Sequence, residues 1–209
     1  MPDVGTTTTV ALDGRPLGRR GAETRQRLLD ATAQLLEDNG LRELKVVDIA
    51  RAVGLSPATF YQYFGDVEAA VLALSAAVGE ETASLSRLLG QDWNGTDGLD
   101  CARQLVEVFI ANWDTHRAVL RTRNLAAQEG DERFRAVRNA ALRPLTEGIG
   151  AKVAARVDSG LAPYAAAAAM VSMLERMAAF HADLGAYGTS RADVVETTAR
   201  ILHHTATGR

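Results

Sequence analysis

The sequence predicts an all-α protein of about nine helices, with an N-terminal three-helix unit followed by a larger helical domain. Three observations carry that expectation. Residues 46–64, VVDIARAVGLSPATFYQYF, spell helix, tight turn, helix. Apolar residues recur at three- and four-residue spacing through most of the chain after them. The 209 residues are 47% hydrophobic and 23% charged, enough apolar material for one large core or two small ones.

Taken in order, residues 1–20 are punctuated by Gly, Thr and Pro without periodicity. They read as a flexible basic arm ending in Arg15, Arg19 and Arg20, of a kind that lies along phosphates or enters the minor groove. A first helix over 22–39 carries Leu28, Leu29, Thr32, Leu35 and Leu36 on one face, and Gly40 ends it. Its stripe must rest on the next two helices to close a domain over 21–66.

In the central stretch, Val46, Ile49, Ala50 and Val53 stand at helical spacing, with Asp48 in the opening turn where an acid suits the helix dipole. Gly54 supplies the left-handed residue that stops the helix. Ser56 as N-cap and Pro57 at the first helical position restart one at once. Two helices joined so tightly cross steeply, which is the geometry that sets a second helix in the major groove. On that helix Phe60 and Phe64 share the core side. Ala58 and Gln62 stack opposite them, flanked by Thr59 and Tyr61, chemistry for base edges and phosphates.

A fourth helix is expected to run unbroken over 66–89, longer than the DNA unit needs, so that it forms a lever into a second domain over 67–209. GQDWNGTDG, residues 90–98, reads as the least ordered internal loop. The next helix, 99–116, places Leu105, Val106, Phe109 and Trp113 on one side, with Arg103 and Glu107 paired at i,i+4 on the other. Helices over 117–128 and 130–157 follow, the latter kinked near Pro144. After a break at 158–162, a helix over 163–184 lines up Met170, Met173, Leu174, Met177, His181 and Leu184, and alanines make most of its remaining surface apolar. A helix apolar nearly all round is buried nearly all round, and a partner subunit is the expected cover. The last helix spans 191–205.

The run DIARAVGLSPATFYQYF, with the helix before it and residues 66–74 after it, resembles the DNA-binding domain of TetR-type transcriptional regulators. That resemblance implies an all-helical homodimer, a repressor more often than an activator, with a ligand pocket in its C-terminal domain and a four-helix interface built from the last two helices. It places Pro57, Ala58, Tyr61 and Gln62 near bases and Thr59, Tyr61 and Tyr63 near phosphates. Lys45 stands where the family usually has a capping threonine, and is expected to supply a phosphate contact of its own. Val67 stands where the family has a lysine, and that contact is missing. Phe109 and Trp113, followed by HRAV at 116–119 and LER at 174–176, resemble a subgroup with lipophilic effectors.

The formal net charge of −3 excludes a generally basic polyanion binder, so DNA contact must come from a local patch. Cys101 is the single cysteine and forms no internal disulfide; a cytoplasmic setting and a buried thiol are expected. No apolar run approaches the roughly 20 residues of a membrane helix. Nothing in the chain reads as catalytic, metal-binding or cofactor-binding: there is no serine elbow, His203 and His204 point to different helix faces, and Gly148-Ile149-Gly150 lacks the strand and third glycine of a phosphate loop. His203 and His204 read instead as partners of a helix-terminal dipole. The expected partners are operator DNA, a second copy of the chain and a small apolar effector, the last bordered by Phe109, Trp113, Phe134, Tyr164, Met170, Met173 and Phe180. The alternative is a helical ligand-binding or interaction protein whose DNA contact is weak or lost.

Overall fold

The structure, a computed structural model, describes residues 12, 14–81, 83–156 and 160–208. Among them are ten α-helices, one 3-10 helix and no strand: α1 (Arg19–Asp38), α2 (Val46–Ala52), α3 (Pro57–Phe60), α4 (Val67–Glu81), α5 (Ala83–Leu89), α6 (Gly98–Thr115), α7 (Arg117–Gln128), α8 (Glu132–Ala154), α9 (Pro163–Phe180) and α10 (Arg191–Thr207). The first three form the small N-terminal unit. In the rest, α8 packs against α4, α7 and α9, while α6 packs against α9 and α10.

The expected fourth helix is present as α4 and α5, and the point where its continuity would be decided, residue 82, lies outside the described residues. The helix expected over 163–184 stops at Phe180, and residues 181–187 tighten into a 3-10 helix that ends on left-handed Gly188 (φ 73°). Short 3-10 tails are a common way for a helix to spend its last carbonyls. His181 and Leu184 therefore leave the α9 stripe, and the buried face is Ala167, Val171, Leu174, Glu175 and Ala178 instead. The helix expected to reach 157 ends at Ala154 after running through Pro144; residues 157–159 lie outside the described set.

Side-chain pairing tightens this frame in ways that spacing alone did not reveal. Arg103 turns to Glu196 on α10, with Nε at 2.5 Å, and to Asp100, while Glu107 pairs with Arg191. The expected Arg103–Glu107 pair gives way because α10 offers carboxylate and guanidinium partners across the α6–α10 seam. The loop over 90–98 is pinned as well. Trp93 is buried, its Nε1 donates to the Leu88 carbonyl at 2.9 Å, and Lys152 lies 4.7 Å over its ring. Gly98 is obligatory there, because a Cβ would lie 1.9 Å from the Trp93 carbonyl oxygen. His203 packs beside Trp93 and meets its carbonyl at 2.8 Å, so it holds this loop and does not serve the end of α10. Cys101 is half-buried.

Candidate nucleic-acid interface and ligand cavity

The N-terminal unit is built around Phe60 and Phe64, both buried, with ring centroids 5.5 Å apart. Leu28 and Ile49, fully buried, close the other sides, and the Arg25 guanidinium covers the Phe64 ring at 5.0 Å. Burial there holds Arg25 below its ordinary pKa. The turn forms as its residues dictate: Gly54 adopts φ +70°, the Leu55 amide donates to the Ala50 carbonyl at 2.8 Å, and Arg27 Nη2 donates to the Val53 carbonyl at 2.6 Å. Ser56 caps α3, its Oγ accepting from the Thr59 amide at 3.2 Å.

The regular helix that follows is a single turn. Tighter bonds, from Gln62 N–H to the Thr59 carbonyl at 3.2 Å and from Tyr63 N–H to the Phe60 carbonyl at 2.9 Å, carry the chain to Phe64. Pro57, Ala58 and Gln62 are exposed, and Tyr61 is 50% exposed, so these four share the outward surface. Thr59 and Tyr63 are half-buried. The Thr59 hydroxyl lies 3.0 Å from Ser56 Oγ, so the cap engages it. Lys45 precedes α2 and is exposed, and its side chain makes no capping bond. Val67 packs inward against the core at the start of α4, and Asp66 caps that helix by accepting from the Ala69 amide at 2.6 Å.

Arg19 and Arg20 belong to the first turn of α1 and not to the arm. Both are exposed, and Arg19 faces Glu23 at 3.6 Å. Cations at a helix N-terminus oppose the dipole, so neither arginine stabilises α1 through it. The described part of the arm lies against the reading turn: the Leu12 amide donates to the Gln62 carbonyl at 3.1 Å, and Leu12, Pro16 and Leu17 border a groove shared with Tyr61 and Tyr63.

This surface yields a first prediction. Gln62→Ala should relax base preference at one operator position per half-site, because an amide paired with an adenine is worth roughly 1–3 kcal/mol of discrimination. Tyr63→Phe should weaken all sequences alike. Competition binding with single-base operator variants checks both, and normal binding by both mutants would show that the outward face has been misassigned.

In the larger domain a cavity of about 30 Å³ lies where α4, α5, α6, α7 and α8 meet. Phe109 and Trp113 border it from α6, Leu120 and Arg123 from α7, and Leu142 and Leu145 from α8. Val78 and Gly79 bring α4 to its wall. The crossing is close: a Cβ on Gly79 would stand 2.9 Å from the Ala141 Cβ. A space of that size holds water and no more, against the roughly 300–1,000 Å³ of ordinary ligand sites.

Of the aromatic and sulfur residues expected around the ligand, Phe109 and Trp113 are brought together here. The other five are not. Phe134 is fully buried elsewhere in the core, and Met170 and Met173 are half-buried on α9. Tyr164 is 66% exposed and Phe180 44% exposed, with the Arg176 guanidinium stacked 3.7 Å over the Phe180 ring. The reason is rotation: α9 turns its alanine and leucine face to α8 and α6, which leaves both aromatics on the outer surface.

Beside the cavity lies a charged cluster. Arg123 and Glu175 are buried, and Arg138 is partly so. Arg138 binds both carboxylate oxygens of Glu175, with Nε to Oε1 at 3.2 Å, and Asn124 donates to Oε1 at 3.1 Å. Arg123 is less well served. Its Nε donates to Asn124 Oδ1 at 3.0 Å, while its Nη2 stands 3.8 Å from Glu175. Burial pushes the Arg123 guanidinium down to about 10, against the pull of Glu175, and Arg138 adds to the fall. The group is still charged at neutral pH. An arginine within the apolar spacing of Val119, Leu120, Ala126 and Ala127 is the signal in the sequence that marks it.

Comparison with known proteins agrees with this arrangement. Residues 28–74 match the model of bacterial regulatory proteins of the tetR family, and residues 85–209 match the tetracyclin repressor-like C-terminal domain. The HTH-type transcriptional regulator EthR of Mycobacterium tuberculosis is 34% identical over 121 residues, covering 56% of each chain. The match thus spans about half the length of that relative. EthR of Mycolicibacterium smegmatis is 29% identical over 166 residues, 75% of this chain and 73% of that one. Among solved structures, the fatty acid degradation regulator FadR from Bacillus halodurans superposes with a TM-score of 0.68 at 17% identity, covering 90% of this chain and 96% of that one. The reading turn, the helical domain behind it and the two family matches covering most of the sequence lead to one conclusion: this chain belongs to the TetR family of bacterial regulatory proteins.

Proposed function

We propose that the chain is a DNA-binding transcriptional repressor, released from its operator when a small lipophilic ligand opens the cavity beside Phe109 and Trp113. One observation carries the reading: α4 begins at Val67, three residues after the buried Phe64 of the reading turn, and lines the closed cavity with Val78 and Gly79. No drug-sized ligand fits 30 Å³, so binding must part α4 from α8. Rotation of α4 carries the reading turn with it. The closed cavity is then the DNA-competent state, and the ligand acts by preferring the open one.

The DNA surface in this reading comprises Pro57, Ala58, Tyr61 and Gln62 at bases, with Arg19, Arg20, Lys45 and Tyr63 at phosphates. Thr59 contributes through its cap. Two such surfaces reach half-sites about 34–36 Å apart if the chain is a homodimer through α9 and α10. Exposed Tyr164, Phe180 and Ile201 on those two helices, with the exposed Ala165, Ala168 and Ala169, supply an apolar face for that contact. The protein works in the cytoplasm, catalyses nothing and needs no cofactor. Retarding DNA from immediately upstream of its own gene, at stated salt, against a scrambled duplex of equal length tests the reading. Specific retardation supports it, and equal binding to both duplexes favours the ligand-binding protein without an operator.

A further inference from the structure

We propose that the cavity is built for an amphiphilic acid: a singly charged oxyanion, such as a carboxylate, received by Arg123 and Asn112, with an apolar tail against Phe109, Trp113 and Leu145. This rests on the effector-controlled reading above and narrows its ligand class.

Three features of the cavity converge on that chemistry. The residues that border it are apolar or small except for Arg123, Asn112 and Trp113, whose guanidinium, amide NH2 and indole N–H are all able to donate. Buried Phe109, Trp113 and Leu145 supply the apolar surface beside those donors. The charges beside it also fail to balance, since Arg123 and Arg138 share the single carboxylate of Glu175. That carboxylate is already engaged by Arg138 through both oxygens and by Asn124, which leaves Arg123 at 3.8 Å, beyond hydrogen-bond length. A buried guanidinium whose nearest carboxylate stands 3.8 Å away and is shared with a second arginine is a costly group to keep in a core. A ligand carboxylate entering the cavity would supply the missing acceptor in a dry setting, where charge-assisted bonds are strong. A neutral lipid would leave the cation as it is.

The test is calorimetry on the full-length protein with decanoate and with 1-decanol, which share a tail and differ in the head. Decanoate should bind more tightly by about tenfold or more. Arg123→Met should erase the preference, and Arg123→Lys, which keeps the charge, should retain most of it. Should Arg123→Met fail to fold, the wild-type comparison and Arg123→Lys still decide. Equal or tighter binding of decanol, or a preference that survives Arg123→Met, overturns the anion site and leaves the apolar cavity standing. Binding of neither compound overturns the cavity as an effector site and the acid with it.

Discussion

Glu175→Gln is expected to destabilise the protein by about 3–5 kcal/mol, lowering Tm by roughly 6–20 °C. Glu175 is buried on α9 and is the only carboxylate in ion-pair range of both Arg123 and Arg138 among the described residues. The amide can still accept from Asn124, so the hydrogen-bond frame survives while the charge is lost. A buried and a partly buried guanidinium then stand together with no anion between them. Adding Arg123→Met on the Glu175→Gln background should recover much of the loss, because it removes the deeper of the two uncompensated cations. Thermal melts of the single and double variants decide. A Glu175→Gln melt within a degree or two of wild type would mean that water or Asn124 already screens the cluster.

Gly79→Val should weaken operator binding in the absence of ligand by about 5–150-fold, the range of ordinary allosteric coupling. A Cβ at this position already falls 2.9 Å from the Ala141 Cβ, and the two further methyls of valine have no space between α4 and α8. The helices must separate at the cavity wall, which is the movement assigned to the ligand. Overpacking costs about 1–3 kcal/mol, and the measurement is therefore paired with a melt. Operator affinity should fall further than the stability loss accounts for at a temperature where the variant is fully folded. Lost stability with unchanged DNA affinity would uncouple the α4–α8 seam from the reading turn.

How far the molecule was legible from its residues depends on which physical rule governs each part. Local chemistry governs the turn at Gly54, the Ser56 cap and the Phe60–Phe64 core, and all three form as the spacing implies. Periodicity also located Phe109 and Trp113 on one face of α6. It could not tell which side of an alanine-rich helix faces the core, because nearly every side of α9 is apolar. Tyr164 and Phe180 were therefore expected at the cavity and lie on the surface. Long-range pairing is equally invisible to spacing. Arg103 turns to α10, Trp93 is held by His203 and Lys152, and Arg123, Arg138 and Glu175 meet from three helices. Arg19 and Arg20 were assigned to the arm because residues 1–20 carry Gly, Thr and Pro without helical periodicity, yet α1 begins with them.

The central claim is that operator and effector oppose each other through α4, and reciprocity tests it directly. The affinity of the tighter binding of decanoate and 1-decanol is measured on free protein and on protein saturated with operator, at one salt concentration. Linkage requires the operator to weaken the ligand by the same factor that the saturating ligand weakens the operator, about 5–150-fold if the coupling is of ordinary size. Equal factors in the two directions are the predicted result. A ligand that binds free and operator-bound protein with the same affinity would contradict it, since a cavity that fills without disturbing α4 cannot control the reading turn.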